Sequence, residues 1–321
     1  MARQRSTSAD YLVYLAVRLA VCLVQALSFS FACRVADIAA WLIYHVDRRH
    51  RRVALENLRF AFPGQYTEPE LDALVRRVYG HFCLMLMEIL FLPRLAHRRN
   101  WQKVLRYRSQ AEANRMVDLW ISGRPMLMAT GHFGNWEVSS YVLGLLGIEF
   151  HGIARPLDNP FLDNWLRRFR EAQGQTILAK KGDFDQIQGV LARGGVLGTL
   201  ADQDAGRRGL YVNFFGRPAS THKALALLAL QHNVPIAVIA AARTGGPLRY
   251  LALAEDIIYP DEYAGRPDAV KAITQRFTDA LERIVRQYPE QYFWLHRRWK
   301  HQPGDIRKRN KKVAARARIP A

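Results

Sequence analysis

At 321 residues, half of them hydrophobic and 11% aromatic, the chain has apolar material for one large core or two smaller ones, which excludes an intrinsically disordered protein. Its 47 Lys and Arg against 28 Asp and Glu leave a net charge of +19, so its partners are expected to be anionic: nucleic acid, an acidic membrane surface, an acidic carrier protein or a phosphorylated substrate. Three scattered cysteines, Cys22, Cys33 and Cys83, form no Cys-x-x-Cys pair and point away from a zinc site or a disulfide framework.

From Tyr11 to Cys33 the chain is apolar apart from Arg18 and a few Ser and Gln, and it shows no small-residue cleavage site of a signal peptide. Fifteen uncharged residues separate Arg18 from Arg34, fewer than the ~20 a spanning helix needs, so Arg18 must snorkel if the longer stretch crosses. The expectation is one membrane anchor, crossing or lying in the interface; the alternative is a helix packed on the protein's own core. The run DRRHRR at Asp47–Arg52 is more basic than the flank at Arg3 and Arg5, which would keep the bulk of the chain cytoplasmic. Val35–Val46 reads as a second apolar helix and Arg51–Phe62 as a helix stopped by Pro63. Thr67-Glu68-Pro69-Glu70 is a capping box that opens a long helix through Tyr79 towards Leu92. Residues 1 to about 110 therefore read as helical.

From Pro125 the pattern changes to short apolar strands alternating with amphipathic helices. Strands are predicted near 125–129, 150–154, 175–178, 196–200, 211–215, 235–241 and 248–254, with helices over 135–146, 160–172, 184–192, 221–232 and 268–288. This is an α/β core behind a helical N-terminal segment. The expected organisation is an anchor and apolar helix over 1–46, one catalytic domain over 47–303 and a basic tail over 304–321, disordered beyond Pro303. From Arg297 onward the chain holds ten Lys or Arg and one acid, Asp305. A nucleic-acid tail would look similar; the apolar N-terminus tips the reading towards a membrane.

The most informative segment is Met126–Glu137, MLMATGHFGNWE. A short apolar run ends in a turn bracketed by Gly131 and Gly134, and Asn135 then caps a helix. His132 is thus expected at the C-terminal edge of a strand, in the turn. From the first helical turn Glu137 could fold back, accept a hydrogen bond from one imidazole nitrogen and leave the other free to take a proton from a hydroxyl. The attacking hydroxyl would then belong to the substrate, with backbone amides of the turn or an arginine holding the oxyanion. A loop histidine with a helix-starting glutamate is the alternative.

Other constellations are weaker. Arg155 and Asn159 follow a strand, and Arg167, Arg168 and Arg170 lie on the next helix, where a guanidinium could hold an oxyanion or a phosphate. Asp202-Gln203-Asp204 stands at a strand end, where Asp-x-Asp can bind magnesium or manganese or simply pair with the nearby arginines. Phe214 and Phe215 could line an acyl pocket or belong to the core. In Glu290–Lys300, EQYFWLHRRWK, aromatics interleaved with bases suit a membrane interface or single-stranded nucleic acid, and His296 reads as structural.

Taken together, RRVALENLRFAFP (51–63), GHFGNWE (131–137), ARPLDNPFLDNWLRR (154–168), LADQDAG (200–206), VNFFGRPAST (212–221) and EQYFWLHRRWK (290–300) resemble the bacterial lipid A biosynthesis acyltransferases. The resemblance implies a glycerolipid-acyltransferase-like mixed sheet flanked by helices, with an N-terminal helical anchor in the inner membrane and the catalytic domain on its cytoplasmic face. It implies acyl transfer from an acyl carrier protein thioester to a hydroxyl of a lipid A precursor, without metal or organic cofactor and without nucleic acid. The family's H-x4-D/E motif falls on His132 and Glu137, and its downstream arginine on Arg170, with Arg167 or Arg168 as alternatives. Arg155, Asn159, Asp202 and Asp204 are implied as substrate-pocket residues. The HFGNWE variant also resembles relatives that acylate other glycolipids. A metal-dependent glycosyltransferase resting on Asp202 and Asp204, or a non-catalytic binding protein resting on charge, are the remaining readings.

Overall fold

The structure, a computed structural model, describes residues 6–172, 174–179 and 183–304. The predicted basic tail lies outside the described residues except for Gly304.

The apolar N-terminus is two helices rather than one anchor over 11–33. Ser6 caps α1 (Thr7–Ala26), and Ser28 accepts a hydrogen bond from the Phe31 amide to open α2 (Phe29–Val46), so a capping serine inside the apolar run breaks it. No residue of α1 is buried, whereas α2 buries only Ala32, Ala36, Ala40 and Tyr44, a stripe repeating every four residues. Asp47 caps α3 (Arg48–Ala61), and the predicted capping box opens α4 (Glu68–Leu95), with Glu70 accepting from the Thr67 amide at 2.7 Å. Helices α1, α2 and α4 are each long and apolar enough to cross a membrane. Helix α4, however, commits Leu71, Leu74, Val75 and Val78 to the protein core.

The helical segment ends earlier than predicted. A short α5 (Trp101–Val104) leads into β1 (Leu105–Tyr107), and Ser109 caps α6 (Gln110–Ile121). Next come β2 (Met126–Thr130), α7 (Trp136–Leu145), β3 (Phe150–Ala154), α8 (Pro160–Glu171), β4 (Gln175–Ala179), α9 (Phe184–Ala192) and β5 (Val196–Leu200), all close to their predicted bounds. The predicted strand at 211–215 does not join the main sheet. It is β6 (Leu210–Phe214), which pairs with β7 (Arg217–Thr221) in a hairpin of its own. The connecting Phe215 and Gly216 both have positive φ, as a two-residue hairpin turn requires. Thr221 therefore belongs to a strand, and α10 (Ala224–His232) starts after it. The chain closes with β8 (Ile236–Arg243), β9 (Tyr250–Ile258) and α11 (Ala269–Gln287).

The main sheet has the order β1-β9-β8-β2-β5-β3-β4. It is mixed: β8, β2, β5, β3 and β4 run parallel, β9 runs antiparallel to β8, and β1 runs parallel to β9. Period-two alternation sorts β2 between two faces. Leu127 and Ala129 pack with Ile187, Leu225 and Phe277 under α9, α10 and α11, while Met126 and Met128 pack with Met116 and Leu143 under α6 and α7. Central β2 is buried on both sides, and its C-terminal edge is where the chain reverses strand order, the usual place for a site in an open α/β sheet.

Candidate active site

Strands β2 and β5 are neighbours and end level, the Ala201 amide donating to the Thr130 carbonyl at 2.8 Å. Two residues beyond each strand end stand His132 and Asp202, side by side. The His132 Nδ1–H donates to Asp202 Oδ1 at 2.8 Å, and the His132 amide donates to Asp202 Oδ2 at 2.8 Å. One carboxylate thus fixes both the backbone and the ring of the histidine. The expected partner is Glu137; the structure gives Nδ1 to Asp202 instead, because strand pairing brings Asp202 under the turn while α7 carries Glu137 away from it.

With Nδ1 protonated, Nε2 is the acceptor nitrogen. It lies 3.3 Å from the side-chain amide nitrogen of Gln203, and the His132 side chain keeps 21% exposure against 4% for Asp202. Burial pulls the imidazole pKa down, but the Asp202 charge and hydrogen bond outweigh it and leave His132 above the usual histidine value. Burial pushes Asp202 up, yet the His132 charge, its two hydrogen bonds and the nearby Arg298 hold it below the usual carboxylate range.

The turn is held from several sides. Gly134 has φ +57°, and a Cβ there would lie 1.8 Å from the Ala241 carbonyl oxygen, so only glycine fits. Phe133 N–H donates to Gly131 O, Gly134 N–H to Gln291 O and Asn135 N–H to Ala241 O, while Asn135 Oδ1 accepts from the Val138 amide to cap α7. The amides of His132, Phe133, Gly134 and Asn135 are therefore engaged within the protein and are not free to serve as oxyanion donors. The C-terminal segment braces the turn from below: the Phe293 amide donates to the His132 carbonyl at 2.9 Å, and Tyr292 bridges to Phe133. That segment is not an exposed interfacial patch. Tyr292, Trp294 and Trp299 are buried with Phe62, Phe214 and Phe215 in one aromatic cluster, so these two phenylalanines are core. Buried Arg298 spans to Ser220 O and Thr221 Oγ1, both at 2.6 Å.

Glu137 faces a different partner. Arg170 Nε donates to its Oε2 at 3.1 Å and Arg170 Nη2 to its Oε1, and the Trp136 indole N–H adds a bond at 3.2 Å. Trp136 also stands against the His132 ring, 5.3 Å between centroids, and so links the two pairs. Glu137 and Arg170 line a pocket of about 670 Å³, part of it open to solvent, that runs over the sheet beneath α7. Its floor is Met128 and Thr130, Phe150 and Gly152, and Gly198 and Leu200, alternate residues of three adjacent strands on one face. Gly152 and Gly198 are opposite in register, and a Cβ on Gly198 would sit 2.3 Å from the Phe150 ring, so these glycines keep the floor open. The lining is chiefly apolar with one ion pair, the composition of a site for a molecule with a long apolar part and a polar end.

The other candidates disperse. Arg155 is exposed and, among the described residues, pairs with Asp158. Asn159 is a buried helix cap: its Oδ1 accepts from the Phe161 and Leu162 amides and its Nδ2 donates to Asp10 O, tying α1 to α8. Arg167 donates to the Ile177 carbonyl at 2.7 Å, a bond from α8 to β4, and Arg168 is exposed. Asp204 accepts from His301 Nδ1 at 2.7 Å and from the Gly206 amide. The two acids of the Asp-x-Asp are thus taken by two different histidines. Neither histidine pairing was legible in the sequence, and the only signal for the first is that Asp202 follows its strand as His132 follows its own. His296 is half-buried, and desolvation lowers its pKa, with Asp202 and His132 within electrostatic reach.

The family model described as bacterial lipid A biosynthesis acyltransferase matches residues 2–301. Among curated proteins, the chain is 24% identical over 263 residues to the lipid A biosynthesis lauroyltransferase of Escherichia coli (strain K12), covering 81% of this chain and 82% of that one. It is 25% identical over 276 residues to a lipid A biosynthesis acyltransferase of Haemophilus influenzae, 83% of each. It is also 24% identical over 237 residues to a phosphatidylinositol mannoside acyltransferase of Mycolicibacterium smegmatis, 71% of this chain and 73% of that one.

Proposed function

Because the chain belongs to the bacterial lipid A biosynthesis acyltransferase family, we propose that it moves a fatty acyl chain from an acyl carrier protein thioester to a hydroxyl of a lipid A precursor, with His132 as general base. The observation that carries this reading is the histidine at the strand end, oriented through Nδ1 by Asp202 and with Nε2 as its acceptor nitrogen, near an apolar pocket topped by an ion pair. Nε2 takes the acceptor's hydroxyl proton as the oxygen attacks the thioester carbonyl, Asp202 stabilises the imidazolium, and the imidazolium returns the proton to the departing carrier thiolate. Two of the five N–H donors of Arg170 are committed to Glu137; of the rest, the adjacent Nη1–H and Nη2–H serve the carbonyl oxygen as charge develops on it. Glu137 thus acts by aiming Arg170, and orientation of the base passes to Asp202. The apolar pocket takes the acyl chain in a glycerolipid-acyltransferase-like core spanning 47–303.

The exposed apolar faces of α1 and α2, with Leu12, Leu19, Leu23, Ile38 and Trp41 outward, suit an inner-membrane anchor. Arg18 turns to the Tyr14 and Trp165 rings, 5.9 and 5.6 Å away, and Tyr11 packs on Phe161 of α8. The anchoring helix is therefore docked on the helix that carries Arg170, which holds the pocket mouth at headgroup level on the cytoplasmic face. The net charge of +19 favours both an acidic carrier and an anionic bilayer. The likeness to a phosphatidylinositol mannoside acyltransferase supports a second acceptor, another glycolipid, under the same mechanism. Turnover of an acyl carrier protein thioester by the purified enzyme in detergent tests the chemistry. His132→Ala is expected to lower it roughly 10² to 10⁴ fold, and undiminished turnover in a folded variant overturns the reading.

A further inference from the structure

We propose that a second apolar cavity, on the other flank of α7 from the catalytic pocket, receives the far end of the donor acyl chain, and that Met128 and Leu143 in the wall between the two govern which chain lengths enter it. The inference rests on the acyl-transfer reading above. The second cavity, about 1,050 Å³ including space open to solvent, lies between α6 and α7 on one side and β8, β9 and β1 on the other. Leu105, Met116, Trp120, Val142, Ala252 and Ala254 line it. Arg106, its one charged lining residue among the described residues, donates its Nε–H to the Gln102 carbonyl at 2.9 Å. A space so poor in polar partners does not hold ordered water well and favours an apolar occupant.

Continuity identifies that occupant. Met128, Ser139, Leu143 and Ile239 line both cavities, so the two spaces share one wall built from β2, β8 and α7. A chain whose thioester lies by Arg170 and whose tail follows the sheet under α7 meets that wall first. Met128 is unbranched and flexible, the side chain best suited to yield. Beyond it, Ala252 and Ala254 stand where strands usually carry Val or Ile, and their small size keeps the space open. The wall is the floor of the pocket for short chains and the passage for long ones.

The test uses the full chain in detergent micelles. Saturated acyl carrier protein thioesters from decanoyl to stearoyl compete for one acceptor, and a palmitoyl thioester with a diazirine at its terminal carbon is photolysed on the protein. The label is expected on residues 105–120 and 252–254, and Ala252→Phe is expected to remove it while lowering the ratio of long-chain to short-chain product about tenfold. Met128→Ala is expected to raise that ratio by a similar factor. Label confined to the Phe150 and Ile177 side, or a length profile unmoved by both substitutions in folded protein, overturns the inference. So does label from a diazirine on the acceptor's own chain without label from the thioester. The photolabel reports occupancy without turnover, so loss of product with the label intact counts against the transfer reading alone.

Discussion

Replacing Asp202 with Asn keeps the size of the side chain and removes its charge, and the hydrogen-bond geometry at His132 determines the outcome. Asp202 accepts two hydrogen bonds from one residue, Nδ1–H on Oδ1 and the backbone N–H on Oδ2, each 2.8 Å. Asparagine has one acceptor oxygen, so its amide N–H₂ must face one of those two donors. If it faces the ring, His132 adopts the other tautomer and Nε2 carries the proton it should accept; if it faces the backbone, a buried donor pair costs about 1–3 kcal/mol and loosens the turn. In both cases the imidazolium formed during reaction loses its counter-charge. The expected fall in kcat/KM is roughly 10² to 10⁴ fold, or about 3 to 5 kcal/mol of barrier.

The pH dependence carries a sign. His132 must be neutral to act as base and its pKa is raised in the native protein, so activity rises as pH climbs through that raised value. In Asp202→Asn the rising limb moves to lower pH, because the group that raised the pKa is gone while burial, which lowers it, remains. For stability, the raised His132 pKa contributes below the unfolded value of ~6.5 and its contribution is lost as pH rises through the folded one. The depressed Asp202 pKa contributes above ~3.9 and its contribution is lost on acidification. The pair therefore stabilises most between those two values. The assay is kcat/KM against pH for wild type, Asp202→Asn and Glu137→Gln, with thermal melts as the folding control. A limb that moves in Glu137→Gln and stays put in Asp202→Asn refutes the assignment and restores Glu137 as the orienting acid.

Arg170→Lys keeps the charge but loses the planar fork on Glu137, and kcat is expected to fall about 10² fold in steady-state assays while the melting temperature changes little. Gly134→Ala drives a Cβ into the Ala241 carbonyl in a left-handed backbone and is expected to cost about 3 kcal/mol or more, read as a large drop in melting temperature or loss of folded protein. Asn159→Ala removes the cap of α8 and its bond to Asp10 O; about 1 kcal/mol of stability is expected to go, with turnover in detergent unchanged, which separates a structural role from the substrate contact the sequence suggested.

Elements whose residues carry their own signal were legible. Strands β2 to β5 and helices α7 to α9 fall close to the bounds that hydrophobic period, Gly and Asn set, and the Thr67 capping box marked the start of α4. Strand β1 was invisible because three residues, Leu-Arg-Tyr, have no period, and its pairing with β9 spans some 145 residues. The histidine was legible because strand, turn and helix are all local. Its partner was not, because Asp202 reaches it only through the adjacency of β2 and β5, a fact of strand order rather than of sequence neighbourhood. The three arginines of α8 sort by helical phase: Arg167 and Arg170, three apart, share the face turned to β4 and the pocket, and Arg168 is rotated to solvent.

The most direct measurement is mass spectrometry of membrane lipids from cells that lack their own late acyltransferases and express this chain or its His132→Ala variant. The expected result is lipid A heavier by one acyl chain with the wild-type protein and unchanged with the variant. Lipid A unchanged by the wild-type protein, or acylated equally by both, contradicts acyl transfer to lipid A through His132.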